Sequence, residues 1–217
     1  MGFGSLAALA REAAEVFAGY DIVTAKTAAE GLRRTKTQTV FVQPVLLLPG
    51  VEYEKLREES ACPGKQVVIG KPLLASPVQV RALAGILCKE YTGETVLFVG
   101  HGTAHPASAF YGELAQTLRK NGLPRSFLGV LEGEPDFEAV AEKLSRSGIE
   151  KLLLVPLMLT AGMHVREGIL GESAASWFSR LTRMGLRVTG VERGLLDYPG
   201  VRQMLLGSIV HALAEAE

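Results

Sequence analysis

The side chains best able to do metal chemistry fall in three short segments. Gly100-His101-Gly102-Thr103-Ala104-His105-Pro106 holds two of the four histidines, Thr160-Ala161-Gly162-Met163-His164 holds a third, and Glu132-Gly133-Glu134-Pro135 offers carboxylates between them. Imidazole with carboxylate is a ligand set for cobalt, iron, nickel or zinc. Three protein ligands also leave coordination positions open for reaction. The glycines beside His101 let backbone approach a bound group closely. Taken singly, each histidine reads more readily as a hydrogen-bonded loop residue than as a ligand. The Gly-His-Gly-Thr turn also has the look of a phosphate cradle at a helix N-terminus. Neither a Walker lysine nor a full GxGxxG accompanies it.

All three segments follow runs that read as strands. Ile22–Thr24, Val40–Leu48, Val67–Ile69, Val96–Val99, Phe127–Leu131, Leu152–Leu159 and Leu186–Val191 are short, apolar and bounded by Gly or Pro, as strands buried on both faces should be. Helical patterns lie between them. Leu6, Leu9, Ala13 and Val16 recur at helical spacing after Ser5, and Phe137, Val140, Ala141 and Leu144 after Asp136, with Ser5 and Asp136 as expected caps. Such alternation predicts parallel sheets with helices on both faces. Ligands bind beyond the carboxyl ends of such strands, which is where His101, Glu132 and His164 fall.

The bulk properties exclude several classes of function. In 217 residues, 47% are hydrophobic and 21% charged, and Lys plus Arg (23) balances Asp plus Glu (23). Neutrality argues against nucleic acid as a partner. Val40–Leu48 is broken by Gln43 and Pro44, and Leu152–Val165 by Pro156, Thr160 and His164, so neither reaches the roughly 20 residues of a membrane span. Leu6–Ala10 lacks a basic flank and is cut short by Arg11 and Glu12, unlike a secretory signal. Met1-Gly2-Phe3-Gly4-Ser5-Leu6 does not fit myristoylation, which needs Ser or Thr where Leu6 stands. Cys62 and Cys88 form no CxxC pair. The expected compartment is therefore the cytoplasm.

The chain also repeats itself. Gly2-Phe3-Gly4-Ser5 pairs with Gly100-His101-Gly102-Thr103. Gln43-Pro44-Val45-Leu46-Leu47 pairs with Val155-Pro156-Leu157-Met158-Leu159, and Gly70-Lys71-Pro72-Leu73-Leu74 with Glu192-Arg193-Gly194-Leu195-Leu196. The order is the same in both halves. The expectation is two similar α/β/α halves with a cleft between them, residues 1–91 and 92–217, the first half shortened.

The ordered set Gly100-His101-Gly102-Thr103-x-His105-Pro106-Ala107, Tyr111, Glu132-Gly133-x-Pro135, Val155-Pro156-Leu157-Met158-Leu159-x-Ala161-Gly162-x-His164, Ser176-Trp177-x-Ser179-Arg180-Leu181 and Gly194-Leu195-Leu196-x-Tyr198-Pro199 resembles the anaerobic-type sirohydrochlorin cobaltochelatases, class II chelatases of cobalamin synthesis. Val42-Gln43-Pro44, Pro49-Gly50-x-Glu52-Tyr53-Glu54-Lys55-Leu56 and Gly70-Lys71-Pro72-Leu73-Leu74 extend the likeness into the first half. The resemblance implies a chelatase-like fold of two flavodoxin-like parallel sheets. It implies cobalt(II) as the metal inserted into sirohydrochlorin, with no organic cofactor. Iron insertion for siroheme and a non-catalytic tetrapyrrole- or metal-binding role are the alternatives. The metal ligands it implies are His101, Glu132 and His164. The repeat then sets Phe3 in the place of His101 and Glu52 in that of His164, so one metal site per chain is expected.

The remaining expectations follow from the substrate. Pyrrole protons must leave as a metal enters, and histidine is the side chain that titrates near neutrality. His101 or His164 would accept a proton and Glu132 would balance charge. Leu157, Met158 and Leu159 would press on the ring face. Lys71, Arg166 and Arg193 would meet its carboxylates, as solvated surface charge would also explain. His105 is a supporting or substrate-touching candidate, and His211 is expected to be uninvolved. A homo-oligomer is possible on this reading. Two departures from the family pattern stand out. The segment Ala25–Gln38 is short, and Met163 and Arg166-Glu167 replace the acidic residue and Asn-Asp that relatives place around the histidine.

Overall fold

The computed structural model describes residues 2–214, with side chains from residue 4. The elements run α1 (Gly2–Val16), α2 (Ala28–Arg34), β1 (Thr39–Val42), α3 (Val51–Glu59), β2 (Gln66–Ile69), α4 (Pro77–Glu90), β3 (Val96–Gly102), α5 (Ala109–Lys120), β4 (Ser126–Glu132), α6 (Phe137–Ser147), β5 (Lys151–Leu157), α7 (Trp177–Arg183), β6 (Arg187–Gly190) and α8 (Pro199–Ala214). Two separate parallel sheets result, β1-β2 and β4-β3-β5-β6. Among the described residues, no helix is long and apolar enough to cross a membrane.

The strands of the larger sheet are apolar on both faces because both are covered. Val96, Phe98, Val155 and Leu157 join one buried cluster with α4, α5 and α8. Leu97, Val99, Leu152 and Leu154 join the other with α6 and α7. This is the period-two alternation of a strand. The faces also fix the topology. α5 lies on one face while α6 and α7 lie on the other. Right-handed crossovers require this when the chain steps one way from β3 to β4 and the other way through β5 to β6. The order therefore reverses between β3 and β5, where open α/β sheets place their ligands.

Sequence repeat and structural repeat coincide at the strand ends. Leu73 and Leu74 donate their N–H groups to the carbonyls of Leu46 and Leu47 at 2.9 and 2.8 Å. Leu195 and Leu196 donate to Met158 and Leu159 at 2.7 and 3.0 Å. Hence β1-β2 matches β5-β6. The match slips by one residue in between, because Gly70 binds Val42 as Val191 binds Leu154. The second half has one more residue before the turn, so Lys71 and Arg193 are not strict equivalents.

Several expected boundaries move. Ile22–Thr24 is irregular and forms no strand; a run of three with no neighbour to pair with leaves its backbone to water. The run from Val40 forms a strand only to Val42, and the carbonyls of Leu46 and Leu47 turn to Leu73 and Leu74. Likewise β5 stops at Leu157, and the carbonyls of Met158 and Leu159 turn to Leu195 and Leu196. Helix α1 begins at Gly2, so Ser5 is not its cap. Phe3, expected in the place of His101, lies in that helix and not at a strand end; its side chain is outside the described residues. Asp136 does cap α6, accepting from Ala139 N–H at 2.9 Å. Cys62 and Cys88 are both free, and burial pushes the Cys88 thiol up.

The two sheets are bridged by helices. Leu73, Leu74, Leu83 and Leu87 share one core with Val96, Phe98, Leu114, Leu195 and Leu205. Tyr91, closing α4, meets Tyr198 through a short buried hydroxyl–hydroxyl hydrogen bond. Arg202, on α8, binds Glu12 of α1 at 2.7 Å and the Leu196 carbonyl at 2.7 Å.

Candidate metal centre

Two glycines flank His101 at the carboxyl end of β3. A Cβ at Gly100 would come within 2.6 Å of the Tyr111 ring, so the missing side chain makes room for that buried tyrosine. The Tyr111 hydroxyl accepts the Gly102 N–H at 3.3 Å. Burial pushes the Tyr111 phenol up, which keeps it a neutral partner for the backbone. Gly102 has φ +89°, and a Cβ there would collide with the Glu132 carbonyl. That register, Gly102 beside Glu132, brings the end of β4 against the His101 segment. His101 is half-buried. Its Nδ1 lies 3.4 Å from the Gly102 carbonyl oxygen. With the proton on Nδ1, Nε2 keeps its lone pair outward.

His164 opens a π-turn, His164–Ile169, anchored by buried Val165 and Ile169. The Leu170 N–H reaches back to the Val165 carbonyl at 2.8 Å, the wide spacing of a π-type turn. The imidazole is exposed above this anchor and meets His101 edge to face, with ring centroids 4.8 Å apart and planes at 87°. Two histidines, one at the end of β3 and one in the turn that follows β5, thus converge at the carboxyl mouth of the sheet. Such a pair can offer two lone pairs to one divalent cation.

Other candidates are placed differently. Among the described residues, no three of His, Cys, Asp and Glu already stand as a metal-holding group. Glu132 is exposed at the end of β4. Leu157 is wholly buried in the core, which leaves it no surface toward a ligand. Met158 and Leu159 are half-buried and pack on opposite clusters. Lys71 and Arg166 are exposed. Arg193 is engaged: it pairs with Glu90 at 2.7 Å and lies 4.1 Å over the Tyr198 ring. His211 is exposed on α8. His105 is held by Ala107 N–H on one nitrogen and Glu54 on the other. That partner had no signal in the sequence beyond its place in the first turn after Gly50. A groove of about 880 Å³ lies at the amino ends of the strands, lined by Glu94, Arg125, Lys151 and Arg187 among others. Because the strands are parallel, it opens opposite the histidines.

The Cobalt chelatase (CbiK) family profile matches residues 9–214. The chain belongs to this cobalt chelatase family. It is 32% identical over 187 residues to the sirohydrochlorin cobaltochelatase CbiKC of Nitratidesulfovibrio vulgaris, an alignment covering 81% of this chain and 65% of that one. It is 29% identical over 202 residues to the sirohydrochlorin cobaltochelatase of Salmonella typhimurium, covering 90% and 76%. The chain thus spans just under two thirds of the first relative. Two structures of SirB from Bacillus subtilis share the fold. The one with Fe3+ has TM-score 0.64 at 17% identity, covering 98% of this chain and 90% of that one. The one in complex with cobalt, from subspecies spizizenii, has TM-score 0.61 at 18% identity, covering 97% and 88%.

Proposed function

We propose that this chain inserts cobalt(II) into sirohydrochlorin, with the metal as substrate. The observation that carries the reading is the edge-to-face pair of His101 and His164 at the carboxyl mouth of β3 and β5, in a member of the cobalt chelatase family. His101 and His164 meet the ion first, and Glu132 swings in from the adjacent strand end to complete the set and balance charge. As ring nitrogens replace protein ligands, the two pyrrole protons leave, one to an imidazole that has let go of the metal and the other to the second imidazole or to water. Arg166 and Lys71, exposed and at strand-end turns, attract the carboxylate rim. Residues 1–91 and 92–217 act as the two working units. No organic cofactor is needed, and the cytoplasm is the compartment this chemistry fits. Sirohydrochlorin is the one partner the reading requires, and no second copy of the chain is needed.

The test is an anaerobic incubation with sirohydrochlorin and cobalt(II), followed by absorbance. Turnover by the natural chain and its loss in His101→Ala and His164→Ala support the reading. Binding of sirohydrochlorin without turnover would leave a carrier. Preference for iron(II) in direct competition would reassign the metal, since imidazole and carboxylate hold both ions.

A further inference from the structure

We propose that Glu54 and His105 are a positioning pair. They clamp the loop that follows His101 against α3 of the first half, and neither holds metal nor moves a proton. The inference rests on the chelatase reading for its effect on substrate, and on geometry alone for the clamp.

Both nitrogens of His105 are committed. Nδ1 accepts the Ala107 N–H at 3.1 Å, so it carries the lone pair. Nε2 therefore carries the proton and donates to Glu54 Oε1 at 3.2 Å. To bind a metal through Nδ1, His105 would have to abandon the start of the turn Pro106–Ser108; through Nε2, it would have to abandon Glu54. The imidazole is only 21% exposed, whereas Glu54 is 58% exposed. The histidine is thus built into its loop and the carboxylate reaches to it from outside.

The surroundings point the same way. Glu54 is aimed by the first turn of α3, where the Gly50 carbonyl accepts the N–H groups of Tyr53 and Glu54 at 2.9 and 3.1 Å. A Cβ at Gly50 would lie 3.9 Å from His105 Cβ and 4.0 Å from Thr103 Oγ1, so the start of α3 already rests on the loop. Thr103 Oγ1 accepts the His105 N–H at 3.1 Å. Yet α3 has no buried side chain. Little apolar packing holds its first turn in place, and the Glu54–His105 contact is a polar link across this junction. The loop it fixes begins one residue after Gly102, so slack there reaches His101 and the mouth a macrocycle must enter.

Three single variants and a double test this. Glu54→Ala removes the acceptor. Glu54→Gln keeps an oxygen for the same N–H. His105→Asn keeps an acceptor for Ala107 N–H but cannot reach Glu54. Amide exchange of residues 103–105 and 107 is read in the metal-free protein, and sirohydrochlorin binding by fluorescence without metal. An exposed pair is a modest link, so Glu54→Ala and His105→Asn should each speed loop exchange and weaken macrocycle binding about 3–5-fold. The double variant should be no worse than either single, and Glu54→Gln should restore both readouts. Cobalt(II) titration without macrocycle should stay within about twofold in all four, as expected of non-ligands. Unchanged loop exchange in Glu54→Ala, multiplied losses in the double variant, or a Glu54→Gln as impaired as Glu54→Ala would overturn the proposal. The chelatase reading fails separately, by absence of turnover in the natural chain, and loop exchange still judges the clamp.

Discussion

Gly102→Ala separates two reasons for one glycine. Gly102 has φ +89°, and its missing Cβ would strike the Glu132 carbonyl oxygen. Gly148, which caps α6, has φ +66° with nothing within 4 Å of a Cβ. Replacing Gly148 with Ala therefore reports strain alone, about 1–2 kcal/mol for an L-residue in this region. Gly102→Ala adds a clash between two backbones, which no rotamer change relieves. Overpacking of that kind costs a further 1–3 kcal/mol, roughly, for a total of about 2–5 kcal/mol. For a chain of this size each kcal/mol moves the midpoint about 2–4 °C. Thermal unfolding should fall by about 2–8 °C for Gly148→Ala and about 4–20 °C for Gly102→Ala. The larger loss should come with weaker cobalt(II) binding, because the shifted register carries His101 and Glu132 apart. Calorimetry on both variants, with metal titration, measures all of it. Equal midpoints, or a Gly102→Ala protein that binds cobalt(II) normally, would refute the argument from the strand register.

His101→Ala and His164→Ala should each lose turnover by ~10²-fold or more, the scale of a lost base, while His211→Ala should match the natural chain in the same steady-state assay. Arg166→Ala should raise the Michaelis constant for sirohydrochlorin, less so at high salt, where exposed charges are screened. Arg193→Ala should behave otherwise: with Glu90 and Tyr198 as partners, it should cost about 0.5–1.5 kcal/mol in denaturant unfolding and leave salt dependence unchanged. Burial raises the phenols of Tyr91, Tyr111 and Tyr198. Folded pKa above unfolded means that their contribution is complete below pH 10 or so and is lost as pH rises beyond it. Tyr91→Phe should flatten the decline in melts as pH rises past about 10.

The strands of the second half were legible because burial on both faces writes an unbroken apolar run, as in Val96–Val99. The same rule misread Ile22–Thr24, since three apolar residues do not reveal whether a neighbouring strand exists. His101 and His164 stood out because a strand-end rule selects positions without needing contacts. Arg193 passed the same rule, and only folding shows Glu90 taking it, 103 residues away. Glu54 was illegible for the converse reason: its partner is 51 residues distant, and nothing in a helix's first turn names the loop it will touch. Gly100 and Gly102 look alike in sequence, yet one makes room for a ring and the other for a carbonyl.

The bond between Arg202 and Glu12 has a consequence for the order of synthesis. It joins residues 190 apart, and α1 rests on α8 and on the turn Leu195–Asp197. A ribosome therefore delivers α1 long before the surface that covers it exists. Until α8 appears, the apolar side of α1, with Leu9 and Ala13, has no permanent place. Meanwhile β3, α5, β4, α6 and β5 can pair as they emerge. The strands that lead to the histidines can thus pair early, but the sheet face they share with α4, α5 and α8 and the apolar side of α1 are both completed only when α8 emerges.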